Sequence, residues 1–314
     1  MKIERDPLWG PLVCRLEHLF FLAAKHTLMM LPEATAREVG RGLGRAAWAL
    51  LRKRTHIAIS NARRALGTGG ARAAERSFQH FGEVIVEMVR AERLYGPKSW
   101  QKHVEFGGRA NLDRALAMGK GVVCVGAHFG NWEIGGWVMS MLGYRVNAVE
   151  RPLRNPLVHR ELNAFRRATG QQTIEKNGAM REAIRVLKRG EILAMLADQD
   201  ARRDGIFVPF LGRQASTHRA PAILSVKYGA PIVTFAVPRL SGWKYRIEFD
   251  EPFVAEETGD HERDIQEATG RYTAALERHI RRWPEQWLWM HRRWKTQPRP
   301  SGNGNGNGNG NGRG

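Results

Sequence analysis

The chain has 314 residues, 42% of them hydrophobic, enough to bury a sizeable core in one large domain or two smaller ones. Its 50 Lys and Arg against 31 Asp and Glu leave a formal charge of +19, so its partners should be anionic: nucleic acid, an acidic protein or an anionic membrane surface. Two cysteines, Cys14 and Cys124, exclude a disulfide framework and a cysteine-based zinc site, and they indicate a reducing compartment.

Residues 1–32 carry Leu12, Val13, Leu16, Leu19, Phe20 and Ala23 at helical spacing, with Arg15, His18, Leu22 and Lys25 on another face. The charged residues interrupt the run before it reaches the roughly 20 apolar residues that cross a bilayer, and no secretory cleavage site follows it. An amphipathic helix is predicted, either docked on the protein's own core or laid on a membrane surface as an anchor. From Pro7 to about Tyr95 the pattern stays helical, with breaks at Pro32 and at "GTGG", Gly67 to Gly70. "GRGLG", Gly40 to Gly44, superficially resembles a nucleotide loop but follows no strand and lacks the spacing.

After Gly121 the texture changes to short β-rich runs, "GVVCVGA", "YRVNAVE", "GEILAMLAD", "APIVTFAV" and "KYRIEFD", separated by helix-sized segments. Pro156 suits a first helical turn, Asn177 an N-cap, and Gly190 a C-terminal stop after "REAIRVLKR". The predicted fold class is α/β: a mixed, mostly parallel sheet flanked by helices, with the helical N-terminal region packed on it in a single domain over 33–298. The runs 231–237 and 244–250 predict an antiparallel hairpin at "RLSGWK". The Gly/Asn repeat in 299–314 can bury nothing and predicts a disordered tail.

The stretch "GVVCVGAHFGNWEIGG" concentrates the chemistry. A buried strand ends in a turn at His128, and a helix starts with Asn131 as its N-cap and Glu133 in its first turn. Histidine in the turn can fold back toward the carboxylate, at the carboxyl end of a strand, where open α/β sheets bind ligands. Gly126 and Gly130 would let the backbone turn tightly or a substrate approach. A carboxylate on one imidazole nitrogen leaves the other as a general base near neutral pH. By themselves the two residues could equally be a metal fragment or unrelated surface groups. The zinc-protease pattern needs two histidines four apart, and Cys124 inside the strand reads as a buried thiol.

Distant segments add to this: "ERPLRNPLVHRELNAFRRATG", "LKRGEILAMLADQD", "GIFVPFLGRQASTHRAPAILSVKYGAPIV" and "PEQWLWMHRRWKTQP". With "GAHFGNWEIGG", in this order, they resemble the bacterial lipid A biosynthesis acyltransferases, within the larger glycerolipid acyltransferase superfamily marked by H-x4-D/E. The resemblance implies acyl transfer from acyl carrier protein to a hydroxyl of a lipid A precursor, without a cofactor or metal, at the cytoplasmic face of the bacterial inner membrane. It assigns His128 as general base and Glu133 as its partner, and adds Arg166 and Asp198. Arg167, Gln199 and Asp200 are neighbouring candidates, and Arg151 joins Arg166 for substrate binding or transition-state support. Arg166, or a backbone N–H near Gly126 to Gly130, would stabilise the oxyanion or hold a phosphate of the acceptor. The positive charge then suits an acidic carrier protein, an anionic glycolipid and an anionic membrane surface. Another glycolipid or a lysophospholipid is the alternative acceptor. A nucleic-acid-binding protein is a remote alternative, because no recognition motif accompanies the charge. The tryptophans Trp283, Trp287, Trp289 and Trp294 among basic residues would sit at a bilayer interface or on a core-docked helix.

Overall fold

The structure, a computed structural model, describes residues 9–176 and 178–298. The expected Asn177 cap and the Gly/Asn tail lie outside the described residues. Five helices come first: α1 (Trp9–Met30), α2 (Glu33–Leu50), α3 (Arg52–Leu66), α4 (Gly70–Val89) and α5 (Ala91–Tyr95). Helices α2 and α4 cross at glycines. A Cβ on Gly44 would lie 2.3 Å from the Phe78 carbonyl oxygen, and one on Gly82 2.1 Å from that of Gly40. Gly40 and Gly44 of "GRGLG" therefore serve backbone approach between helices.

The α/β part follows with β1 (Val104–Gly107), α6 (Arg109–Ala117), β2 (Val122–Gly126), α7 (Trp132–Met141), β3 (Val146–Glu150), α8 (Pro156–Arg167), β4 (Gln172–Glu175), α9 (Ala179–Lys188) and β5 (Ile192–Leu196). A two-stranded antiparallel ribbon, β6 (Ile206–Phe210) and β7 (Arg213–Thr217), precedes α10 (Ala220–Tyr228). The chain closes with β8 (Ile232–Ala236), β9 (Arg239–Ser241), β10 (Lys244–Phe249) and α11 (His261–Arg282). Among the described residues the main sheet runs β1-β10-β8-β2-β5-β3-β4, with β9 on β10. Strands β8, β2, β5, β3 and β4 run parallel to one another, while β10 is antiparallel to β8. The sheet is mixed, mostly parallel and flanked by helices, as the alternation predicts. All five residues of central β2 are buried, which is why its run is apolar without alternation.

The five predicted β runs all form strands. The antiparallel pairing at "RLSGWK" forms too, though the strand that turns directly into β10 is β9. Strands β1 and β4 are absent from the expectation because they are four residues long and polar on one face. Pro156 opens α8, and Gly190, at φ +72°, stands just past α9.

Two expectations change. In α1, Leu16, Leu19 and Phe20 point outward, Phe20 with 77% of its surface exposed. His18 and Lys25 instead face Glu161 of α8, each at 3.4 Å, and Asn155 donates to the Cys14 carbonyl at 3.0 Å. The helix thus docks by a mixed face, with Leu28 buried in the core beyond His18 and Lys25, and leaves the stripe of Leu12, Leu16, Leu19 and Phe20 uncovered. No helix among the described residues is long and apolar enough to cross a membrane. At the other end, Trp287, Trp289 and Trp294 are buried in the core, not spread on an interface, and they follow α11 in turns, not in a helix. Arg293 is fully buried with them, donating to the Ser216 carbonyl and the Thr217 hydroxyl.

Helix α11 is tied to β10 and the residue after it by His279, 3.4 Å from Glu248 and 3.4 Å from Asp250. Burial alone would lower this imidazole, but the two carboxylates outweigh it and raise it from 6.5 to about 9. A raised value means the stabilisation is complete below about pH 6.5 and is lost as pH rises through 9, a difference of about 3 kcal/mol. Denaturant midpoints measured between pH 6 and 9.5 should fall over that window. In His279→Gln the slope should flatten.

Candidate active site

His128 and Asp198 stand two residues beyond β2 and β5, and those strands are paired in parallel with Gly126 beside Leu196. The register therefore brings the two side chains abreast at the carboxyl end of the sheet. The Asp198 carboxylate accepts from the His128 backbone N–H at 2.9 Å, from its Nδ1 at 2.8 Å and from Trp287 Nε1 at 2.8 Å. Burial works to raise the Asp198 carboxyl, but the imidazole beside it and these three donors hold it down at about 2. It is therefore ionised at neutral pH and accepts only, which makes Nδ1 the donor, so that in the neutral ring the lone pair lies on Nε2. The Gln199 amide approaches that Nε2 at 3.4 Å.

The turn carrying His128 is held from several sides. Leu288 N–H donates to the His128 carbonyl at 3.1 Å, and Gly130 N–H to the Gln286 carbonyl at 3.0 Å. Gly130 has φ +60°, and a Cβ there would sit 1.9 Å from the Val237 carbonyl oxygen, so only glycine closes this turn. Gly126 instead makes room for the Phe235 ring, which a Cβ would meet at 2.5 Å. Asn131 caps α7 by accepting from Ile134 N–H at 3.2 Å, and its amide donates to buried Glu87 of α4 at 2.9 Å. The N–H groups of His128, Phe129, Gly130 and Asn131 are all engaged within the protein, so those four are not the expected oxyanion donors.

Glu133 does not meet the imidazole. It accepts from Arg166 Nε at 2.9 Å and Nη2 at 2.6 Å, and from Trp132 Nε1 at 3.1 Å. Arg166 also bonds Glu150, so one guanidinium joins α7, α8 and the end of β3 in a buried cluster. The physical reason is distance along the fold. Glu133, in the first turn of α7, faces α8, while Asp198, just past the neighbouring strand, reaches the imidazole. Burial lowers the Arg166 guanidinium, but its two carboxylates reverse this and raise it above its ordinary value. Arg151, one residue past β3, is exposed and joins none of these groups. Glu150, the last residue of β3, joins the cluster with Arg166 instead, and an acid closing an apolar strand, as in "NAVE", was the available signal. Nothing in the local sequence marked Trp287 as the third donor to Asp198.

Beneath α7 lies an apolar cavity of about 90 Å³, lined by Met139, Ala148, Ala194 and Phe235, with Glu133, Arg166 and Glu150 as its charged wall. Cys124 also lines it, and burial pushes its thiol up to about 12, which rules it out as a neutral-pH nucleophile. Trp132 connects cavity and base, lining the one and standing edge-on to the His128 ring at 5.0 Å.

The family model for bacterial lipid A biosynthesis acyltransferases matches residues 15–296. The chain belongs to this family. It is 30% identical over 278 residues to the lipid A biosynthesis palmitoleoyltransferase of Escherichia coli (strain K12), covering 86% of this chain and 88% of that protein. The lauroyltransferase of the same strain is 26% identical over 279 residues, 86% and 89% of the two chains. A phosphatidylinositol mannoside acyltransferase of Mycobacterium tuberculosis (strain CDC 1551 / Oshkosh) is 27% identical over 222 residues, 68% and 69%. The chain is thus an acyltransferase of the lipid A type.

Proposed function

We propose that this acyltransferase moves a fatty acyl group from acyl carrier protein to a hydroxyl of a lipid A precursor, at the cytoplasmic face of a bacterial inner membrane. His128 Nε2 takes the hydroxyl proton as the oxygen attacks the thioester carbonyl. The C–S bond then breaks, and the imidazolium returns its proton to the leaving thiolate. Asp198 holds the tautomer and the imidazolium, the part the sequence assigns to Glu133. Glu133, Arg166 and Glu150 shape the charged wall of the cavity, and the apolar cavity takes part of the acyl chain. The observation that carries this reading is the Asp198–His128 pair, with Nε2 turned away from the carboxylate and Trp132 leading to the cavity.

An acidic donor is supported by the stretch between Glu38 and Glu75, which has no acidic residue and places Arg52, Lys53, Arg54, Arg63 and Arg64 on α3, all exposed. The uncovered apolar stripe of α1 supports contact with a bilayer surface. The mannoside relative keeps a second reading open, the same chemistry on another glycolipid. The test is an in vitro assay crossing acyl carrier protein and coenzyme A thioesters with a lipid A precursor and a mannosylated phospholipid. Transfer to the mannolipid alone would replace the first reading with the second.

The cavity also yields a specificity prediction. Ala194 is a small residue of its wall, and Ala194→Phe adds bulk to space that a chain would fill. With thioesters of graded length, the preferred donor should shorten by two or more carbons, an amount on the order of one phenyl ring. An unchanged chain-length profile would place the acyl group elsewhere.

A further inference from the structure

A second opening, a groove of about 1260 Å³, lies between α1, α4, α7 and α8. Its walls are largely apolar, with Phe21, Ile85, Met88, Leu162 and Phe165 among them, and Ile85 is 56% exposed. An open apolar groove of this size is costly to leave facing water.

Three observations indicate what it takes. Arg90 lines the groove and is only 2% exposed. Its Nη1 donates to the Leu28 and Leu31 carbonyls at the end of α1, while its Nε and Nη2 are buried with no hydrogen-bond partner among the described residues. No carboxylate among the described residues comes within ion-pair distance of it, Glu33 acting only from further off, and Arg93 on the same groove, beside Glu92, adds a like charge. A buried guanidinium with two unmatched N–H groups calls for an anion. A line of side chains also runs from the groove toward the active site. Phe81, Ile85 and Met88 follow one another on one face of α4, and the Phe81 ring is 5.9 Å from Trp132, itself 5.0 Å from His128.

We propose that this groove is the binding site for the acceptor lipid's existing hydrocarbon chains, with a phosphate of that amphiphile at Arg90 and Arg93. The proposal rests on the acyltransferase reading above. It extends that reading by giving the acceptor a site distinct from the cavity assigned to the transferred chain.

The experiment places a benzophenone amino acid at Ile85 in the full chain. The protein is irradiated in vesicles of phosphatidylcholine and phosphatidylglycerol doped with a phosphorylated, acylated glucosamine disaccharide. Mass spectrometry should find the disaccharide lipid enriched over both phospholipids on the protein, and less of its dephosphorylated form. Adducts in proportion to vesicle composition, or none, would overturn the proposal. In parallel, Ile85→Glu and Leu162→Glu put a charge where chains should lie, and the KM for acceptor should rise about tenfold or more, with kcat changing far less. Because Arg90 also caps α1, Arg93→Glu carries the charge test and should raise the same KM. A wild-type protein that transfers no acyl group would sink the catalytic reading. A protein that transfers, with KM unmoved in these variants, would sink the groove alone.

Discussion

His128→Ala is expected to lower acyl transfer by about 10³-fold or more, in protein whose circular dichroism matches the wild type. The side chain is about one-fifth exposed and its removal opens no large core cavity, so the loss should be chemical. Asp198→Asn should cost about 10²-fold or more through the same base, since it removes the charge that fixes the Nδ1 tautomer and stabilises the imidazolium. The two effects should not add. Once His128 is gone, Asp198 has nothing to orient, and the double variant should be no worse than His128→Ala. Steady-state transfer rates for the four proteins complete the cycle. Additive losses would mean that Asp198 acts on something other than the imidazole.

Arg166→Met is expected to destabilise the protein by about 3–5 kcal/mol, because it leaves Glu133 and Glu150 buried without their cation. Both carboxylates are less than a tenth exposed, and both are bonded by the one guanidinium. Urea denaturation checks the magnitude, and a variant as stable as wild type would remove the cluster from the account. Arg166→Lys should recover only part of the loss, since one ammonium cannot reproduce the fork that meets Glu133 through two nitrogens. The same cluster decides how Glu133 acts. Glu133→Gln should lower activity, and in double-variant cycles it should couple to Arg166 and not to Asp198. Coupling to Asp198 of similar size would restore Glu133 as the direct partner of the base.

Much of this arrangement can be read from the chain, and the unread part has a consistent cause. The central strands are long apolar runs between helix-sized segments, so β2, β5 and β8 are legible from period and length alone. Strands β1 and β4 are short and half exposed, and β6 contains Pro209, so local patterning could not identify them. The tryptophan-rich end shows the same limit. Its composition suits an interface or a core equally, and the fold chose the core by placing Trp287 between Asp198 and the Phe210 ring.

What the sequence determined by itself was which residues are candidates for the chemistry. A turn-borne histidine after a buried strand, and an acid closing another, can be recognised because charge at the end of an apolar run is costly without a purpose. What only the tertiary structure decided was their pairing. Partnership between Asp198 and His128, 70 residues apart, depends on β2 and β5 lying side by side in a given register. Glu133, only five residues from His128 in the chain, is turned by α7 toward Arg166 instead. Proximity along the chain is local, whereas strand neighbours are set by packing of the whole sheet, and the active-site pair follows the sheet.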